Sequence, residues 1–239
     1  MKAILLAAGR GSRLGTLTQK QPKCFVPFRG QPLIRWQLQA LAEAGVRDAA
    51  VVRGYLAPFW DGQDLPVARY FTNERWRQSN MVASLACAAP WLEQDICLIS
   101  YTDIYYTADS IRRLAAADGD IVITYDPNWL QVWSRRFADP LVDAETFRID
   151  ASGKLLEIGS RPKSVEEVEG QYMGLLKFTP RGWATVRAYL DSLPGNGIGA
   201  LDMTGMLSRL IGEGVSIRTV PIAEEWFEFD QVSDLEAAG

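Results

Sequence analysis

Between Lys2 and Ala8 the chain is almost wholly apolar, and the run stops abruptly. Leu6-Ala7-Ala8 leads into Gly9-Arg10-Gly11-Ser12-Arg13-Leu14-Gly15, with Pro22-Lys23 shortly after. A short continuous apolar run of this kind suits a strand buried on both faces of a parallel sheet. The loop that leaves it carries three glycines and two arginines. Glycine lets main chain turn its N–H groups inward and approach a ligand closely, and arginine offers forked donors for phosphate oxygens. A loop like this at the end of a buried strand is a candidate phosphate cradle.

Two familiar cradles are excluded by spacing. A Walker A loop places Lys-Ser or Lys-Thr straight after its last glycine, whereas Gly15 is followed by Thr16-Leu17. A dinucleotide fingerprint needs its third glycine one residue earlier than Gly15 and an acid about 20 positions further on. Phe28 to Ile34 contains no acid. An ordinary glycine-rich turn would not need two arginines and a lysine around it.

The chain contains no histidine. That removes Ser-His and Cys-His nucleophiles, imidazole bases and His-ligated zinc together. An enzyme of this composition must work with carboxylates, lysine, arginine and a hard metal ion. Transfer onto a phosphate fits, because the attacking oxygen is already anionic and needs no base. The three cysteines, Cys24, Cys87 and Cys97, lack CxxC spacing and read as small buried residues. A net charge of −4 argues against nonspecific nucleic-acid binding. Ala3 to Ala8 is too short for a bilayer span or a signal sequence, so no membrane association and a cytoplasmic location are expected.

At 239 residues the chain is expected to form one domain, residues 1–125 holding the nucleotide and residues 126–239 the acceptor. Strand patterns at Ala49–Val52, Val67–Phe71, Asp95–Tyr101 and Asp120–Tyr125 alternate with helical patterns at Pro32–Ala44, Asn80–Trp91 and Asp109–Ala117. That alternation predicts a Rossmann-like, three-layer α/β/α fold with a mixed, mostly parallel sheet. The later half reads as a hairpin across Asp150–Gly153, strands at Gln171–Phe178, Val215–Val220 and Trp226–Phe229, and helices at Pro180–Leu193, Leu201–Ile211 and Asp234–Ala238.

Asp103 stands where the strand ending near Tyr101 runs out, the edge of an open α/β sheet at which ligands bind. Glu228 and Asp230 lie at strand spacing, facing one way. Magnesium takes few carboxylates plus substrate phosphates, and Asp103 with Asp230, then Glu228, could supply them.

The order LAAGRGSRLG followed by Pro22-Lys23 resembles the signature of nucleotidyltransferases that join an NTP to a sugar phosphate or a small phosphorylated alcohol. The resemblance implies a triphosphate wrapped by Leu6, Ala7, Ala8, Gly9, Gly11, Ser12 and Arg13. It makes Arg13 and Lys23 the catalytic cations and gives Mg²⁺ to the acids just named. Residues 73–82, 133–137, 139–146 and 170–174 are similar to a branch that uses CTP on phosphocholine, phosphonates or phosphorylated glutamine. In that branch Asn80 would lie near the base. Trp129, Trp133, Arg135, Arg136, Glu145, Gln171, Tyr172 and Trp226 would wall the acceptor. The expected reaction is Mg²⁺-dependent transfer of CMP from CTP to a small phosphorylated or phosphonylated compound, releasing pyrophosphate. A sugar-1-phosphate nucleotidylyltransferase and a non-catalytic nucleotide-binding module stay open as alternatives, and monomer and homodimer are equally compatible with the sequence.

Overall fold

The computed structural model describes residues 1–195 and 197–237. The chain opens with β1 (Lys2–Ala7), then a short ribbon of β2 (Pro27–Phe28) and β3 (Gln31–Pro32), then α1 (Leu33–Glu43). β4 (Ala49–Arg53), β5 (Arg69–Thr72), α2 (Met81–Ala86) and α3 (Ala89–Leu92) follow. Next come β6 (Cys97–Tyr101), β7 (Ile104–Tyr106), α4 (Ala108–Ala116), β8 (Ile121–Asp126) and α5 (Trp129–Arg136). β9 (Phe147–Ile149), β10 (Leu155–Ile158), β11 (Gln171–Phe178), α6 (Pro180–Ser192), α7 (Gly197–Ala200) and α8 (Met203–Gly212) lead to β12 (Arg218–Pro221), β13 (Trp226–Glu228) and α9 (Val232–Ala237).

Seven strands form the central sheet in the order β12-β8-β11-β6-β1-β4-β5, drawn from both halves of the chain. β1 lies near the middle, parallel to β4 and β6. β11 alone runs antiparallel, between β6 and β8. Alternate residues of β1 feed two cores: Ile4 and Leu6 pack on the face covered by α2, α6 and α8, and Ala3 and Leu5 on the face covered by α1, α4 and α5. Burial on both faces is why β1, β4 and β8 read as continuous apolar runs. This is the expected mixed, mostly parallel α/β/α arrangement.

Several expected boundaries shift for local reasons. The helix anticipated over Asn80–Trp91 comes in two pieces, because Pro90 cannot donate into a continuing helix and instead sits in the first turn of α3. α8 begins at Met203, since Asp202 caps it by accepting from Gly205 N–H. α5 was not anticipated as a helix. Of the terminal turn expected over Asp234–Ala238, Ala238 lies outside the described residues.

One small ribbon brings distant acids together. β7 pairs antiparallel with β13, Ile104 opposite Glu228, and Phe229 N–H donates to the Asp103 carbonyl at 2.8 Å. Asp103, in the turn between β6 and β7, and Asp230, two residues after β13, are thereby brought close together at the carboxyl edge of the sheet.

Candidate active site

Two adjoining clefts open at that edge. The first is lined by Leu6, Ala7, Ala8, Gly9, Gly11, Arg13 and Lys23 on one side, and by Trp76, Ser79, Asn80, Met81 and Ser84 on another, with Asp103 and Asp230 on its floor. The loop after β1 is shaped by two left-handed glycines, Gly11 (φ 64°) and Gly15 (φ 58°). The opposite wall is set by buried Asn73, whose amide donates to Ser79 Oγ and Ser84 Oγ at 3.0 Å each. Asn80 caps α2, its Oδ1 accepting from Met81 N–H, and it borders both clefts.

Asp103 is held by a clamped turn. Gln37, fully buried on α1, donates through Nε2 to the carbonyls of Tyr101 and Ile104 at 2.8 and 2.7 Å, one on each side of it. Thr102 Oγ1 donates to the Leu6 carbonyl at 3.0 Å, tying the turn to β1. Lys23 Nζ bridges Asp103 Oδ2 at 2.9 Å and Asp230 Oδ1 at 2.7 Å, and Arg13 Nη2 lies 3.2 Å from the same Asp230 oxygen. Burial works against the Lys23 ammonium, but the two carboxylates more than offset it and its pKa is raised. Burial also opposes the Asp230 charge, yet Lys23 and Arg13 prevail and hold its carboxyl below the usual range. Asp103 Oδ1 is buried and has no hydrogen-bond partner among the described residues. No cluster of three or more His, Cys, Asp or Glu suited to a metal occurs among them either. Two carboxylates around one shared cation position, with an acceptor lone pair to spare, are the donor set a hard divalent ion uses when phosphates complete its shell.

The second cleft shares Arg13, Asn80, Met81 and Asp230 with the first. Its walls add Tyr101, Trp133, Asp143, Glu145, Gln171, Tyr172, Gly174, Asp202, Thr204 and Glu228. Burial raises the carboxyls of Asp143 and Glu145, opposed by Arg136 and by the Thr204 hydroxyl respectively. Burial also raises Glu228, with Asp230 adding and Arg136 opposing, to about 7. Trp133 Nε1 and the Tyr172 hydroxyl are buried without hydrogen-bond partners among the described residues.

Of the residues assigned from sequence to the nucleotide, Leu6, Ala7, Ala8, Gly9, Gly11, Arg13, Lys23 and Asn80 line the first cleft, and Ser12 does not. Ser12 opens the 3-10 turn behind the loop. Of the acceptor set, Trp133, Glu145, Gln171 and Tyr172 line the second cleft. Four do not, and their assignment is corrected. Trp129 is buried in the core and donates to the Val168 carbonyl at 2.9 Å; Trp226 is buried and donates to Asp126 Oδ2 at 2.9 Å. Arg136 is clasped by Glu228 and Asp234, and Arg135 borders an outer groove with Val132 and Phe227. On α5, Trp129, Trp133 and Arg136 share one face and Arg135 falls off it, and along that face only Trp133 reaches the second cleft. Glu228, the third metal candidate, borders the second cleft with Asp230 and not the first, and its Oε2 takes Arg136 Nη1 at 2.8 Å. Trp76, Ser79, Ser84 and Thr102 in the first cleft, and Asp143 and Asp202 in the second, were not singled out. Asp143 and Trp76 do lie inside stretches that carried the resemblance.

The fold and the glycine loop define a class that grips nucleoside triphosphates. A model of the MobA-like NTP transferase domain matches residues 3–156. The chain belongs to that family and is a nucleotidyltransferase. Among curated proteins, it is 35% identical to a CTP:phosphoglutamine cytidylyltransferase of Campylobacter jejuni, an alignment covering 99% of this chain and 98% of that one. It is 27% identical to a 2-aminoethylphosphonate cytidylyltransferase of Lancefieldella rimae, covering 98% and 90%. Among solved structures, the inositol-1-phosphate CTP transferase of T. maritima superposes with a TM-score of 0.78 at 19% identity, covering 99% of this chain and 94% of that one. No described helix is long and apolar enough to cross a membrane.

Proposed function

We propose that this chain transfers CMP from CTP to a small compound that carries a phosphate or phosphonate at one end and a cationic group at the other, releasing pyrophosphate. The observation that carries the reading is Lys23, held in the first cleft beside the glycine loop between Asp103 and Asp230, the second of which also borders the acid-lined second cleft. The cytidylyltransferase names of the relatives favour CTP as donor. Asp143, Glu145, Asp202 and Glu228 outnumber Arg13 around the second cleft, which suits an ammonium-bearing acceptor.

In this reading the backbone N–H groups of the Gly9–Gly11 turn and the Arg13 and Lys23 cations hold the triphosphate. The acceptor oxygen attacks the α-phosphorus, forming one P–O bond while the bond to the bridging oxygen of the β-phosphate breaks. That oxygen is already anionic, so no proton has to be removed. The protein's contribution is alignment and neutralisation of charge. Mg²⁺, which Asp103 and Asp230 are suited to hold, would supply further neutralisation of the phosphates. A cytoplasmic location, where CTP and Mg²⁺ are present, goes with this reading.

The test is a panel. CTP, UTP, dTTP and GTP are each incubated with Mg²⁺ and phosphocholine, phosphoethanolamine, aminoethylphosphonate, hydroxyethylphosphonate, phosphorylated amino acids or a sugar 1-phosphate, and adducts are read by mass. A CMP or CDP adduct with an amine-bearing acceptor is expected. Turnover only with sugar 1-phosphates, or nucleotide binding without pyrophosphate release under every condition, would overturn the proposal.

A further inference from the structure

A single residue, Gln231, separates Asp230 from α9, and the placement of Asp230 depends on a neighbour that does not touch either cleft. Asp234, 5% exposed, accepts through Oδ2 from the backbone N–H of Asp230 and of Gln231, both at 2.8 Å. Its other partner is Arg136, whose Nε lies 3.0 Å from Asp234 Oδ1 and whose Nη2 lies 3.2 Å from Oδ2. The remaining arm of the guanidinium reaches Glu228 Oε2 at 2.8 Å, and its plane sits over the rings of Trp133 and Phe137, 5.2 and 5.1 Å from their centroids. The Arg136 side chain is only 7% exposed.

A buried charge cluster of this kind does little for stability compared with an apolar filling of the same space. A short helix such as α9, six residues long, is not stable by itself and takes its position from whatever anchors it. Two contacts anchor it here: Leu235 packs on the cluster of Phe28, Leu33 and Phe229, and Asp234 pairs with Arg136. On its other side Asp230 follows Phe229, whose N–H is fixed to the Asp103 carbonyl. The backbone of Asp230 is thus pinned from both directions, once by the Asp103 turn and once by Arg136 through Asp234.

We propose that Arg136, acting through Asp234, is a positioning residue that presents the Asp230 carboxylate to the cation shared with Asp103. The proposal rests on the reading of Asp230 as a metal-holding acid. It places a structural dependence of the nucleotide side on α5, the helix whose Trp133 lines the acceptor side.

The experiment titrates Mn²⁺ into the full chain with a non-hydrolysable CTP analogue, reading free Mn²⁺ by electron paramagnetic resonance. Asp234→Asn and Arg136→Lys are each expected to weaken Mn²⁺ binding by about fivefold to tenfold, the scale of one lost intramolecular hydrogen bond. Binding of the analogue without metal should stay within about twofold. In an Asp230→Asn background, Asp234→Asn should cause no further loss, since it acts through the carboxylate already removed. Variants that melt earlier yet bind Mn²⁺ as wild type would show a purely structural pair and overturn the proposal, as would losses that add to that of Asp230→Asn. If Asp230→Asn itself leaves Mn²⁺ binding untouched, the metal reading of Asp230 fails and this proposal falls with it.

Discussion

A Cβ on Gly11 would stand 2.8 Å from Cδ of Lys23 and 2.9 Å from its Cβ, so the stem of the central lysine occupies the space that the missing side chain leaves. The backbone there is left-handed as well, at φ +64°. Gly11→Ala therefore meets two penalties at once: strain on the order of 1 kcal/mol, and displacement of Lys23 from the two carboxylates. Stability should fall slightly, with the melting temperature dropping roughly 2–4 °C per kcal/mol for a chain of this size. Turnover, followed by pyrophosphate release, should fall much further, by about tenfold or more. Wild-type turnover in a variant of slightly lowered stability would show that the fit of Lys23 against residue 11 does not matter for the reaction.

Lys23→Ala and Asp103→Ala should each remove most turnover, about a hundredfold as for other preorganised charge contacts. Their stabilities should part company. Lys23→Ala leaves Asp103 and Asp230 facing the same space without their bridging ammonium, so added Mg²⁺ should raise its melting temperature more than that of wild type. Asp103→Ala lacks half of that donor pair, and its response to Mg²⁺ should be smaller than wild type. Near-normal pyrophosphate release by both variants would end the assignment of these roles, and equal Mg²⁺ responses would end the shared-cation picture.

Gly174 lies in the irregular stretch of β11, where its pairing with β8 shifts register between Tyr172 and Leu176. Its φ is +77°, and a Cβ would lie 2.8 Å from Cγ and Cδ2 of Tyr101. Gly174, Tyr101 and Tyr172 border the second cleft and not the first. Gly174→Ala should consequently raise KM for the acceptor by about fivefold or more while moving KM for CTP little, on the scale of an overpacked contact. Steady-state kinetics with each substrate varied in turn gives the comparison. An equal rise in both constants would mean that the substitution disturbs both clefts alike, and a fall in apparent kcat with both KM values unchanged would mean only a loss of folded enzyme.

Which parts were legible from sequence follows from how the site is assembled. The loop after β1 is contiguous, so its glycines, Arg13 and Lys23 could be read together, and Asp103 announced itself by standing where an apolar strand stops. The pairing of Asp103 with Asp230 depends on a ribbon only three residues long on each strand, β7 with β13, too short to leave a periodic signal. The acceptor wall is harder still. Asp143, Asp202 and Tyr172 reach one cleft from three segments, and nothing local distinguishes them from solvated acids or core aromatics. Arg136 illustrates the same limit in reverse. The resemblance puts it in the acceptor wall, and only the positions of Glu228 and Asp234 reveal that its charge is already matched.

The most distinctive pH response should come from Glu228. Its carboxyl moves from an ordinary 4.5 to about 7, because burial opposes the charge, Asp230 adds repulsion and Arg136 only partly compensates. Between those values the folded chain holds a proton that the unfolded chain has released. The associated stabilisation is complete below 4.5 and is lost as pH rises through about 7. Glu228→Gln cannot titrate and lacks this contribution. The melting temperature of wild type minus that of the variant should therefore be largest near the acid end and shrink between pH 5 and 8, by a few degrees at roughly 2–4 °C per kcal/mol. Asp230 runs the opposite way: its lowered carboxyl adds stability above its ordinary value of 3.8 and loses it as pH falls, so it does not blur this window. A difference that stays constant from pH 5 to 8 would mean that Glu228 is ionised throughout, with Arg136 outweighing its burial.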